Sequence, residues 1–510
     1  MMQIYKLDGN TIDVVSCPPR DVRKGDYVLV KDEALNRSLI VQVTNIGYAN
    51  VPGVLEDILR DSSAHKIAGR DLDFLDVKAF VDVIKDAKIF RCKVRRAIVE
   101  GKISHDVSWT PSRSTSQLCP LTDHEFLELV GSREGRTITL GTTTGGADVA
   151  VGLSTIDGKL NIITGKKGTG KSHLAKLLML GLIEQGGTCV VFDVNGEYVN
   201  LGYSEDRQKA ALHDKLLVLS PGKGFKVTLA YTGLGVFMRI ISSVLDLPEN
   251  SAWEIRRIWS SLAKRGGLTL TNLRKSIEGV ANSYVRDALI RRYESLISTR
   301  LFTDNRQEAS TLEDLMARLR EGGALVVNLQ GLPSRFRHII VEFMLSKLCS
   351  LLDRWVLRAL FLFAEEAHLY LRKTYWEDIV TRMRHLGIFS TFVTNQPDSI
   401  SDSIYRQADN VFLFNFTNEN DLAVVSRATM VDVETITVIA RELPPHHCLV
   451  LGKVVNDFPL IVKIKQLHVN TMGKTRLFFT KPSEQKNFDL HEQPGIRPRG
   501  EPSPPPVYSR

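Results

Sequence analysis

Several absences narrow the reading at once. Only six of the 510 residues are cysteine (Cys17, Cys92, Cys119, Cys189, Cys349 and Cys448) and none forms a CxxC pair. That excludes a disulfide scaffold and a zinc ribbon, and leaves reduced, mostly buried thiols. No apolar run approaches the roughly 20 residues that cross a bilayer; the longest are Leu177 to Ile183 and Ala359 to Ala364. The N-terminus meets Lys6 and Asp8 before an apolar leader could form, so no membrane partner and a cytoplasmic location are expected. Internal repeats and a nucleic-acid-reading motif are missing, and the lack of both LSGGQ and a transmembrane helix argues against an ABC transporter. Charge is modest: +8 over the whole chain hints at a polyanionic partner and also fits an ordinary solvated surface.

What is present is ordinary globular material. Hydrophobic residues are 43% and charged residues 24%, which excludes wholesale disorder, and the length suggests about three units at roughly 150 residues each. From Met1 to about residue 100, short alternating runs (QIYKL, TIDVV, DYVLV, SLIVQVTNI, KIFRCKVRRAIV) predict a small β-barrel, with short helices in the middle at LEDILRD and FVDVIKDA. Residues 101–136 are polar and read as a linker. From 137 to 470, buried strands alternate with amphipathic helices, the βαβ pattern of an α/β parallel-sheet core. A helical insertion is expected at about 234–319, opened by capping boxes at Ser251–Glu254 and Thr311–Asp314. Residues 471–510 form an extension whose end, holding six of the 19 prolines after residue 493, should be disordered.

The strongest signal is Gly165-Lys166-Lys167-Gly168-Thr169-Gly170-Lys171-Ser172, a full GxxxxGK[ST] between the strand LNIIT and the helix that His173 continues. Glycines let backbone N–H groups turn onto phosphates, Lys171 neutralises the outer phosphates, and the Ser172 hydroxyl can bind Mg²⁺. ATP and Mg²⁺ are therefore the expected cofactors. Asp193, at the end of VVFDVNGEY, is either an acid for the metal or its water, or the cap of a turn. RALFLFAEEAHLY is a buried strand ending in paired acids: Glu365 takes the metal-facing position and Glu366 the position that polarises attacking water. Asn395 and Gln396 end another apolar strand, where they can position a water beside a γ-phosphate or simply form a turn before Pro397. Arg382 and Arg384 are either arginine fingers to a neighbouring subunit or ordinary surface arginines, the latter being the better reading of Arg382. The basic clusters Lys93, Arg95, Arg96 and Arg256, Arg257, Lys264, Arg265 read as solvated faces, Trp253 and Trp259 as core, and His446 and His447 as structural.

The order of these pieces resembles the HerA family of DNA translocases, within the HerA/FtsK class of P-loop ATPases: a β-barrel, GTTTG and the P-loop, DVNGEY, the insertion, VVNLQGLP, EEAH, RMRHLG, VTNQPDSI and ELPPHHCLVLGKV. The resemblance spans most of residues 1–465. It implies a RecA-like core with a HAS-barrel-like N-terminal domain, a homo-hexameric ring that hydrolyses ATP while double-stranded DNA passes through it, and a NurA-type nuclease partner in DNA end resection for recombinational repair. It assigns Asp193 to a second acidic motif, Glu366 as catalytic carboxylate, Gln396 as sensor, Arg384 as trans-acting arginine, and Lys159 as the basic residue before the P-loop strand. The sequence departs from the family where DVNGEY lacks a histidine and Gln396 is followed directly by Pro397. The alternatives are a motor of the same class acting on a polypeptide and a non-hydrolysing clamp assembled by ATP.

Overall fold

The computed structural model describes residues 2–16, 21–49, 86–131, 135–204, 206, 208–370, 380 and 382–470. The helices expected between residues 52 and 86 and the C-terminal tail lie outside these residues.

The N-terminal strands follow the alternation read in the sequence. They are β1 (Met2–Asp8), β2 (Thr11–Ser16), β3 (Tyr27–Asp32), β4 (Arg37–Tyr48) and β5 (Lys88–Val99), joined by β6 (Lys102–Ser104) and β7 (Ser116–Pro120). All pair antiparallel in the order β1-β2-β5-β4-β3-β7, with β6 on β5. The end strands β1 and β7 approach each other, curling the sheet around a core of Ile12, Val14, Val28, Val41 and Phe90. Residues 101–136, expected to be a linker, are thus largely built into the fold. β7 completes the barrel sheet, and Thr122 and Glu125 form a reciprocal capping box on the helix Asp123–Val130. SRSTSQLCP lacks the apolar alternation that marks a half-buried strand, because backbone pairing with β3 orders β7.

The second sheet has eleven strands. β12 (Leu216–Leu219), β13 (Gly323–Asn328), β11 (Thr188–Asp193), β14 (Leu360–Ala364), β15 (Ile388–Thr394), β10 (Asn161–Thr164) and β16 (Asn410–Leu413) run parallel in that order. β17 (His447–Gly452), β18 (Leu460–Ile464), β8 (Thr137–Thr142) and β9 (Asp148–Gly152) extend it antiparallel. Buried side chains cover both faces, as a parallel sheet requires.

Between β12 and β13 lie only helices, the longest being Glu249–Lys264 and Ser283–Ser298. Thr311 caps its helix as expected. Ser251 does not: Pro248, with its fixed φ, holds the cap position, so the helix starts at Glu249 and Ser251 is buried inside it. Trp259 packs on Phe237, whereas Trp253, expected in the core, is 67% exposed. Six residues at about 100° each place the two rings roughly 120° apart around the helix.

The barrel docks onto the core through ion pairs and through an apolar seam that holds Tyr27, Leu29 and Ile40. Lys24 pairs with Glu442, Lys93 with Glu434, Arg95 with Asp432, and Arg96 with Asp457. Tyr27 stacks on Phe126 at 3.9 Å and donates to the Pro459 carbonyl at 2.6 Å. The cluster Lys93, Arg95 and Arg96 is therefore no solvated face. It holds the acidic helix Val433–Glu442 and the β17–β18 turn.

Candidate nucleotide site

β10 ends at buried Thr164, and the chain turns through Gly165–Gly170 into the helix Lys171–Glu184. Two glycines are obligatory here. Gly165 has φ 150 and lies so close to Phe414 that a Cβ would sit 2.6 Å from the phenylalanine Cβ; Gly170 caps the helix at φ 119. The helix has no side-chain cap, so its first N–H groups are free for an anion. Neighbouring strand ends brace the loop: Lys166 N–H donates to Asn415 O at 3.0 Å and His446 N–H to Thr169 O at 3.0 Å.

Lys171 is buried at 7% exposure, with Nζ donating to Lys166 O at 2.8 Å. Burial lowers its pKa, while Glu366, Glu365 and Glu197 oppose the shift. Ser172 Oγ donates to Glu365 Oε2 at 3.3 Å, so the two oxygens proposed for Mg²⁺ converge. The other Glu365 oxygen accepts from the Tyr198 hydroxyl. Burial pushes the Glu365 carboxyl up to about 8, the Glu197 charge acting in the same direction. A dry, protonated carboxyl beside a hydroxyl is a fitting place for a cation whose charge would replace the proton.

Glu366 follows with φ 46 and ψ 47, a left-handed conformation that costs a glutamate energy and is held by the surrounding structure. Its Oε2 is buried without a hydrogen bond and lies 3.5 Å from His368 Nδ1. Thr394 Oγ1 is 3.2 Å from the same nitrogen. Burial lowers the His368 pKa, favouring the neutral ring. Thr164 Oγ1 and Asn395 Oδ1 are likewise buried and unpartnered. Orphaned oxygens at the ends of β10, β14 and β15 suit a ligand rich in donors, such as bound water or hydrated Mg²⁺.

Other candidates fall differently. Gln396 is exposed, with its backbone tied to Thr394 and Ser399; of the pair Asn395 and Gln396, the first holds the buried polar oxygen. Asp193, fully buried, accepts the N–H groups of Glu197 and Tyr198 at 3.0 and 2.8 Å and thereby shapes the turn after β11. Burial raises its pKa to about 6. Glu197, which the sequence reading passed over, forms a 2.9 Å ion pair with buried Lys176 of the P-loop helix, and Lys176 also lies over the Tyr198 ring. The signal was there in NGEY: an acid and an aromatic closing the turn that Asp193 opens. His173 Nε2 lies 2.8 Å from Lys465 O, and burial keeps its ring biased to the neutral form. Lys166 and Lys167 are exposed on the loop.

Lys159 and Arg384 are not in this cleft. Both precede the strands they lead into, at the opposite edge of the sheet, and share Asp409 at 3.8 and 3.4 Å. Four residues of β10 at about 3.3 Å each separate that edge from the P-loop. There Arg384 lines an open groove of about 1020 Å³ with Arg136, Arg320 and Arg358. Arg382 is exposed.

With the geometry in place, the comparisons agree with the motif order. Residues 138–348 match the family model of the helicase HerA central domain. The DNA double-strand break repair helicase HerA of Saccharolobus solfataricus is 21% identical over 392 residues, 69% of this chain and 73% of that one. Its counterpart in Sulfolobus acidocaldarius is 23% identical over 483 residues, 89% and 90%. Among solved structures, VirB4 of Thermoanaerobacter pseudethanolicus superposes with a TM-score of 0.51 at 16% identity, covering 66% of this chain and 98% of that one. The plasmid coupling protein TrwB with ADP and Mg²⁺ gives 0.49 at 14% identity, covering 69% and 94%. The fold is that of a P-loop ATPase with a RecA-like core, and residues 138–348 resemble the HerA central domain. No helix among the described residues is long and apolar enough to cross a membrane.

Proposed function

We propose that this HerA-type P-loop ATPase is an ATP-driven motor on double-stranded DNA, working as a homo-hexameric ring with a NurA-type nuclease in DNA end resection. The observation that carries the hydrolytic part is Glu366, an acid held in a strained backbone with a buried, unpartnered oxygen, beside Glu365 and Ser172. Lys171 binds the outer phosphates. Ser172 and Glu365 would hold Mg²⁺, which would supply positive charge against the triphosphate. Glu366 orients the attacking water and accepts its proton as the phosphoryl group departs. Arg384 and Lys159 stand before β15 and β10, the strands whose far ends carry Asn395 and the P-loop, and so lie outside this chain's own cleft; this supports a ring in which they reach a nucleotide held by another copy.

The DNA part is supported by the two relatives, each named a DNA double-strand break repair helicase. The test is turnover of the purified chain with and without linear duplex, at low and moderate salt. A motor tracking phosphate backbone should be stimulated by duplex, and the stimulation should fall steeply as salt rises. Turnover indifferent to DNA would favour a motor acting on a polypeptide.

A further inference from the structure

Strand order fixes the direction in which a nucleotide lies across this site. On one side of β10 are β15 and β14, whose ends carry Asn395, Glu365 and Glu366; on the other are β16, β17 and β18. Ser172 reaches toward the acids, so the reacting end of a triphosphate points to β14. Its nucleoside end must then leave the loop on the β16 and β17 side.

On that side the chain presents His446, immediately before β17. It is exposed, yet its position is tightly defined. Its backbone has φ 60, its N–H donates to Thr169 O at 3.0 Å, and its carbonyl accepts from Ile464 N–H at 2.8 Å. The ring overhangs the end of the P-loop, since a Cβ built on Gly170 would lie 3.3 Å from His446 Nδ1. The His173 ring stands 5.9 Å away at an interplanar angle of 74°. His447, by contrast, directs Nδ1 to the Pro445 carbonyl at 3.0 Å. A flat ring whose backbone is held before the ligand arrives has only its two side-chain torsions to fix when a base stacks on it.

We propose that His446 is the base-contacting residue of this site: the purine of ATP stacks on its imidazole, with the His173 ring forming the adjoining wall. This rests on reading the P-loop as a nucleotide site. It gives the PPHH segment a role in binding and makes the purine ring, as well as the phosphates, part of what the site recognises.

The test uses the full chain and His446→Asn, which tolerates a left-handed backbone while removing the ring. Two probes are titrated: ATP, with its 2-aminopurine riboside triphosphate analogue as fluorescent reporter, and inorganic tripolyphosphate. Wild-type protein should quench 2-aminopurine fluorescence on binding. His446→Asn should abolish the quench and weaken ATP binding about tenfold, the scale of one lost base stack, while leaving tripolyphosphate affinity unchanged; His446→Tyr should restore the quench. Equal weakening for ATP and tripolyphosphate would show that His446 acts only by bracing Thr169, and unchanged ATP affinity would remove the stack; either overturns the inference. Wild-type protein that binds neither probe would overturn the nucleotide reading itself.

Discussion

The two edges of the parallel sheet are built on opposite principles. At the edge where β10, β14 and β15 end, polar atoms are buried and several lack partners: Thr164 Oγ1, Glu366 Oε2 and Asn395 Oδ1. At the edge where the same strands begin, Lys159 and Arg384 share Asp409 beside an open groove. A buried oxygen without a donor costs roughly 1–3 kcal/mol, so the first edge stores an unmet need. Surface pairs like those of the second are each worth at most about 1 kcal/mol and break easily. One chain thus carries a cleft that wants cations and donors on one edge and movable cations on the other. We propose that the two complement each other between copies.

Substitutions at the cleft should have the largest effects. Lys171→Ala should abolish ATP binding, measured by calorimetry on the full chain; retained binding would mean that the backbone cradle alone suffices. Arg384→Ala should leave ATP binding by the chain intact and lower turnover about a thousandfold, the scale of a lost arginine finger. A binding defect in that variant would contradict the separation of the two edges. Glu366→Gln should preserve binding and slow turnover a hundredfold or so, and full turnover would move the water-activating role to another acid.

The smallest effect is a pH slope. Glu365 in the folded protein holds a proton up to about 8, whereas the unfolded side chain releases it near its ordinary 4.5. Its contribution to stability without metal is complete below that lower value and is lost as pH rises through the upper one. Asp193, raised to about 6, acts with the same sign over a lower range. Melting scans in chelator should therefore show stability falling as pH rises from about 4.5 to about 8, with Glu365→Gln flattening that fall. An unchanged slope in the variant would place the proton elsewhere.

Much of the cleft was legible in the sequence because its chemistry is local. A strand, a glycine turn and Lys171-Ser172 are contiguous, and Glu365 and Glu366 follow a buried strand directly. What could not be read is set by pairing across the chain. The ion pairs from Lys24 to the helix Val433–Glu442 and from Arg95 to its N-cap Asp432 span more than 330 residues in sequence, and no local pattern marks a basic strand as docked instead of solvated. β7 and β12 are short and gain their order from β3 and β13. The Glu197–Lys176 pair joins a turn to a helix 21 residues upstream, so its meaning depends on how β11 lies against the P-loop. Likewise, Arg384 and the P-loop are each visible as motifs, but that they occupy opposite edges follows only from the strand order.

Completion of the catalytic site between copies is tested by mixing two inactive proteins. Lys171→Ala chains keep Arg384, and Arg384→Ala chains keep an intact cleft. Combined, they should regain part of the wild-type ATPase rate at interfaces that pair one intact cleft with one intact arginine. No recovery at any mixing ratio, with both variants assembling as the wild type does, would contradict the claim.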